Sequence, residues 1–259
     1  MKNKIVVLLM IAAALAACAT AEQKQAAQRE RDPQYQYEKA VVCMNAGLTD
    51  EALKYLGLAL SLDPNHYQSH NLRGLAYLMK GNFADAAASF EKCSQLAPKF
   101  SDAQNNLGTA LQEKGDAAGA EAAFRKAFAI DGNYNASFNL AKIFFQQGKL
   151  DEALDYVQRS IRKFPRSLLA LNLQGLVLES QNKFDEAIAS YDAALRVVAD
   201  ETNVLFNQAV AYYKKNDYDK AKAQMNKVLR ILKEKPSANA AQDAEMKKRI
   251  EEVLRRMGK

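Results

Sequence analysis

The sequence predicts an all-α fold of stacked helix pairs. Three observations carry that prediction: a period of about 34 residues, a small-then-bulky register inside each period, and a turn-forming residue at one fixed place in it. The register runs through Ala52, Ala86, Ala120, Ala153, Ala187 and Ala221. Twelve residues before each of these stands Ala40, Gly74, Gly108, Ala141, Gly175 or Ala209, and four after it Leu56, Phe90, Phe124, Val157, Tyr191 or Met225. Two antiparallel helices that approach closely need a small side chain at the contact and large ones around it. The sharp turn between them needs a residue at ease with positive φ, and Gly47, Gly81, Gly115, Gly148, Asn182 and Asn216 occupy that place.

Each period therefore reads as helix, turn, helix, over residues 33–66, 67–100, 101–133, 134–167, 168–201 and 202–235, most of them closed by a turn residue at Pro64, Pro98, Gly132 or Pro165. The pattern resembles the tetratricopeptide repeat (TPR), which runs Leu-Gly-x-x-Tyr, then Ala, Phe and Pro; Arg73-Gly74 with Tyr77 and Leu107-Gly108 with Leu111 are the nearest copies. That resemblance implies a right-handed superhelical solenoid of about six repeats. The last repeat of a solenoid exposes an apolar flank. Residues 236–259 read as a capping helix for it, with Ser237 as the N-cap and Met246, Ile250, Val253, Leu254 and Met257 at helical spacing.

Residues 1–17 carry Lys2 and Lys4, an apolar run from Ile5 to Leu15 and a small-residue site ahead of Cys18. This is a secretory signal, too short to span a membrane as a mature helix. With cysteine at the cleavage point it resembles a bacterial lipoprotein signal, which implies lipidation of Cys18. Two or three acyl chains hold a protein on a bilayer far better than one. Ala19 at the next position implies the outer membrane, periplasmic face, in a Gram-negative host and the plasma membrane in a Gram-positive one. Residues 18–32 lack large apolar residues before the repeats begin and read as a flexible tether.

With 49% apolar residues and no tryptophan the chain can build a continuous core without a second globular domain. Its net charge of +6 falls by the charges of Lys2 and Lys4 once the signal is removed. What remains gathers late, in Lys247, Lys248, Arg249, Arg255, Arg256 and Lys259, as the solvated face of a terminal helix or a patch for an anionic partner. An exported destination argues against nucleic acid. Cys43 and Cys93 fall at core positions of different helices, which argues against a disulfide between them.

No catalytic or cofactor pattern emerges, and the reading is of a non-enzyme. His66 and His70 have no companions at metal-ligand spacing, and neither a phosphate-cradling glycine loop nor a nucleophile elbow occurs. An envelope enzyme with a site of another kind is the remaining alternative of that class.

The function expected is binding. In the family resembled, the first helix of each repeat lines a concave groove, which here places Tyr37 and Val41; Asn71, Leu75 and Leu78; Asn105 and Thr109; Phe138, Lys142 and Phe145; Asn172 and Leu176; and Phe206, Val210 and Tyr213 against a partner. Such a groove is apolar and amide-lined. Amides can hold the backbone of an extended peptide or helix while Leu and Phe take its side chains; the alternative is that the asparagines bond neighbouring helices. Lys142 is the one central cation, unlike the chaperone-binding repeats that clamp a carboxylate with several.

The layout of lipobox, tether and six repeats resembles the type IV pilus biogenesis lipoproteins PilF and PilW, the pilotins. That resemblance implies an adaptor that brings a secretin subunit to the outer membrane. It resembles as well the TPR lipoproteins that gather peptidoglycan hydrolases or other envelope enzymes.

Overall fold

A computed structural model describes residues 23–236 and 239–257, and among these every regular element is an α-helix. The chain divides into two compact units after Lys126. Throughout, the first helix of a pair is its A helix and the second its B helix.

The first unit holds α1 (residues 23–30), α2 (Pro33–Asn45), α3 (Thr49–Leu62), α4 (Tyr67–Met79), α5 (Phe83–Leu96) and α6 (Ser101–Lys114), and the division falls within α7 (Ala117–Asp131). The second holds α8 (Tyr134–Gln146), α9 (Leu150–Lys163), α10 (Leu168–Ser180), α11 (Phe184–Val197), α12 (Thr202–Lys214), α13 (Tyr218–Glu234) and α14 (Ala240–Met257). No helix among the described residues is long and apolar enough to cross a membrane.

All six alanines of the register are fully buried, and so are all six bulky residues that follow them. The small position twelve residues earlier works as a socket. A Cβ added to Gly74 would lie 2.5 Å from the Phe90 ring, one on Gly108 2.6 Å from Phe124, and one on Gly175 2.3 Å from Tyr191. Where the socket is Ala40, Ala141 or Ala209, the residue filling it is the non-aromatic Leu56, Val157 or Met225. The extra methyl on one helix is thus matched by a smaller side chain on the other, which keeps packing near crystalline density. The A-to-B turns have φ of +75° at Gly47 and +60° at Asn182, and the four equivalent residues share this left-handed conformation.

Helix starts follow local capping chemistry. Asp32 accepts from the Gln34 amide, with Pro33 opening α2, and Asn133 and Ser167 accept from the amides of Ala136 and Ala170. His66 does the same for α4 through Nδ1, which receives the Ser69 amide. The C-terminal helix is present, with Ile250 buried and Met246, Val253, Leu254 and Met257 packed on Leu205, Met225 and Leu232. Its N-cap is Asn239, whose side chain accepts from the Gln242 amide; Ser237, the cap expected from sequence, lies outside the described residues.

The flexible-tether expectation is corrected where it can be seen. Residues 23–30 are helical, because Gln, Lys, Ala, Arg and Glu are strong helix formers even without an apolar face. Glu30 fastens the end of this helix: it receives Gln36 Nε2 at 2.8 Å and Lys39 Nζ at 3.0 Å. Those two partners hold its carboxyl below the usual range. Cys18 and residues 1–17, read from sequence as a signal, lie outside the described residues.

Candidate functional site

The candidate site is the face presented by successive A helices, taken one unit at a time. In the first unit Tyr37, Val41, Asn71, Leu75, Leu78 and Thr109 are half-buried, and in the second so are Phe138, Lys142, Phe145, Asn172, Leu176, Val210 and Tyr213. All these positions expected to meet a partner are accessible in part. Val42 on α2 and Met79, one helical turn beyond Leu75, are 67% and 63% exposed, and Leu169, two turns before Leu176, is 64% exposed.

Asn105 and Phe206 depart from expectation, because both are buried. Phe206 is part of the cluster that includes Ile250 of α14, and the Arg249 guanidinium lies 4.7 Å from its ring centre. The capping helix therefore occupies the place where a partner was expected.

The asparagines pair with one another. Asn106 Nδ2 donates to Asn71 Oδ1 at 3.1 Å, and Asn207 Nδ2 to Asn172 Oδ1 at 3.0 Å. Each bond joins residues 35 apart on successive A helices. Their amides tie neighbouring repeats, which takes a donor and an acceptor from what a ligand backbone would use. The sequence marks Asn71 and Asn172 and leaves open that asparagines bond neighbouring helices, which these two do.

A second tie recurs at the lip of the pairs. The first residue after an A helix reaches the aspartate at the start of the previous B helix: Lys80 to Asp50, Gln181 to Asp151 at 2.8 Å, and Lys215 to Asp185. These exposed pairs contribute little energy, but they recur at one register. In the second unit a more buried network joins them. Glu179 on α10 accepts from Lys214 Nζ at 2.8 Å and from the Tyr191 hydroxyl at 3.1 Å. Burial, then the Glu179 charge, push the Tyr191 pKa up, so the hydroxyl stays a proton donor.

Both histidines are accounted for structurally. His66 caps α4, and the buried His70 ring sits 2.9 Å from the Pro64 carbonyl through Nε2 and 3.3 Å from Arg73 through Nδ1. These contacts fit a neutral ring that donates from Nε2 and accepts at Nδ1. Burial lowers its pKa. Cys43 and Cys93 are free thiols, and burial pushes Cys93 up to about 11, a poor nucleophile.

Helix pairs in this register, with a partly exposed apolar face along their A helices, define a repeat scaffold for protein interactions. The chain belongs to the tetratricopeptide repeat family, whose profile matches residues 37–99, 71–135, 105–168 and 172–239. Among solved structures it is similar to PilW, a widely conserved type IV pilus biogenesis factor, at 18% identity and a TM-score of 0.69 over 82% of this chain and 97% of that one. It is similar to pilF of Pseudomonas aeruginosa at 21% identity and a TM-score of 0.61, over 73% and 84% of the two chains. The APC/C hetero-tetramer Cut9-Hcn1 gives 15% identity and a TM-score of 0.69 over 85% of this chain, which spans only 43% of that one. With 420 solved chains sharing the architecture, likeness at these identities establishes the fold and leaves the partner open. No curated protein sequence matches the chain.

Proposed function

We propose that this TPR scaffold is a lipid-anchored adaptor of type IV pilus biogenesis. Cys18 carries the lipid on the periplasmic face of the outer membrane, and the A-helix face holds a segment of a secretin subunit. The observation that carries the binding half is the A-helix face of the first unit. There Val41, Leu75, Leu78 and Met79 are partly or largely exposed, and no charged residue stands among the contact positions Tyr37, Val41, Asn71, Leu75, Leu78 and Thr109. Such a face suits an apolar helix or strand laid across it.

The anchoring half is supported by the lipobox-like sequence ending at Cys18. The pilus assignment is supported by that layout together with similarity to PilW over nearly all of that chain. The adaptor role follows from having two ends: lipid directs where the protein goes, and the repeats carry what goes with it.

The test is fractionation of host envelopes in strains carrying wild type, Cys18→Ser or Leu75→Glu with Met79→Glu. The reading expects the secretin to move from the outer to the inner membrane fraction in both variants. It expects the adaptor itself to be misplaced only in Cys18→Ser. A secretin that reaches the outer membrane in all three strains would refute the assignment. Recovery of peptidoglycan hydrolases in its place on the wild-type protein would make the chain an envelope-enzyme scaffold.

A further inference from the structure

One feature of the second unit lies apart from the A-helix face. Phe128 and Gly132, at the end of α7, and Arg159, Arg162 and Lys163, in the last turns of α9, line a cleft of about 320 Å³. Phe128 is the aromatic residue of its lining; behind the lining Phe128 meets Tyr156 edge-on with ring centres 5.3 Å apart, and Tyr156 stacks on the buried Phe144 at 5.4 Å. The Arg159 guanidinium lies 5.5 Å from the centre of Phe128 and 6.0 Å from that of Tyr156. Its Nε donates to Asp155 at 2.8 Å, which fixes the plane of the group while its two terminal nitrogens stay uncommitted. Lys163 reaches the Asp131 carbonyl at 3.3 Å, and exposed Arg162 makes no ion pair among the described residues.

Cations in the last turn of a helix complement its dipole, which accounts for one or two of these residues in any helix. It does not account for the Phe128 ring beside Arg159 or for the concentration at this repeat. The residues equivalent to Arg159, Arg162 and Lys163 are Leu58, Ser61 and Leu62 in the first repeat, Lys92, Gln95 and Leu96 in the second, and Ala193, Arg196 and Val197 in the fifth. Only the fourth repeat has a cation in all three places.

We infer that this cleft is a second docking site, which takes a carboxylate of an acidic, apolar-flanked segment of a partner protein. A guanidinium held beside an aromatic ring and tied through Nε to Asp155 offers its remaining N–H groups to a carboxylate with little ordering left to do. Phe128 then receives the apolar neighbour of that acid. The Asp155 carboxylate beside Arg159 opposes a uniformly anionic surface such as a bilayer, whereas a single acidic side chain can seat between Arg159 and Arg162.

The experiment uses the full-length chain carrying Cys18→Ser and two fluorescein-labelled octapeptides, one alternating Asp with Phe and its twin alternating Asn with Phe, with binding read by fluorescence anisotropy. The inference expects the acidic peptide to bind about tenfold more tightly than its twin. Arg162→Glu and Arg162→Gln should abolish that preference, and Lys248→Glu on α14 should leave it intact. Equal binding of the two peptides would overturn the inference. A preference that survives Arg162→Glu, or one that Lys248→Glu removes equally, would also overturn it. Displacement of the acidic peptide by phosphatidylglycerol vesicles would make lipid the occupant and would likewise defeat it.

Discussion

The two units solve the same packing problem with different residues. In the first, two of three helix pairs close with a glycine under a phenylalanine, Gly74 under Phe90 and Gly108 under Phe124. In the second, two of three close with an alanine under Val157 or Met225, and its one aromatic filler, Tyr191, extends a hydroxyl to Glu179 and through it to Lys214. Among Tyr37, Val41, Asn71, Leu75, Leu78 and Thr109 the first unit carries no charge and ties its A helices through amides, while the second joins its A helices through the Glu179 carboxylate and the Lys214 ammonium group in addition to such an amide tie. A repeat can thus add a charged tie to an amide one without altering its backbone register.

The comparison breaks most visibly at the sockets. Gly74→Ala should destabilise the chain by about 2–3 kcal/mol in urea unfolding, because the new methyl meets a buried ring. The double change Gly74→Ala with Phe90→Leu, which copies the Ala40 and Leu56 pair, should recover most of that loss. Without recovery, the idea of matched volumes fails. Next in size, Glu179→Gln should lower stability by about 1 kcal/mol, discounted because Lys214 is half-exposed. A double-mutant cycle with Lys214→Met should assign the coupling to that pair.

A smaller effect of opposite sign sharpens the argument. Gly57 lies inside α3 with nothing within 4 Å of where its Cβ would be, so Gly57→Ala should stabilise by about 0.5–1 kcal/mol through helix propensity alone. If it destabilised as Gly74→Ala does, the socket explanation would be wrong. The smallest effect concerns pH and belongs to the first unit, which holds both histidines. The folded pKa of His70 is lowered from 6.5, so the unfolded chain binds the proton more readily. Its contribution to stability is full above about pH 6.5 and declines as pH falls from there toward the lowered value. Melting temperatures between pH 7.5 and 5.5 should show that decline, and His70→Gln should flatten it.

The fold was legible in sequence because a repeat states its own packing rule six times. The socket, the buried alanine and the left-handed turn residue recur in phase, and Asn182 and Asn216 stand where glycine does in the other four repeats. Of the A-helix positions named from the sequence, most are partly exposed in the structure and two are buried. Less legible was which of them the protein keeps for itself. A repeat register says that Asn71 and Asn172 stand on the A helices, but their partners Asn106 and Asn207 lie at an offset that only neighbouring helices brought side by side reveal. Phe206 was hidden for a similar reason: its position matches the half-buried Phe138, but Phe206 also packs in the cluster with Ile250 and beside Arg249 of α14. The helix at residues 23–30 was missed because it rests on propensity and on the Glu30 contacts, without the apolar stripe by which a helix is usually read.

The central claim is that the A-helix face of the first unit around Leu75 holds the partner. The most direct measurement places a photo-crosslinking amino acid at Leu75, with a control at exposed Lys92 on α5, and irradiates intact host envelopes. The account predicts an adduct between the Leu75 position and a type IV pilus secretin, absent from the Lys92 control. An adduct formed only from Lys92, or no adduct from Leu75 in cells that assemble the secretin, would contradict it.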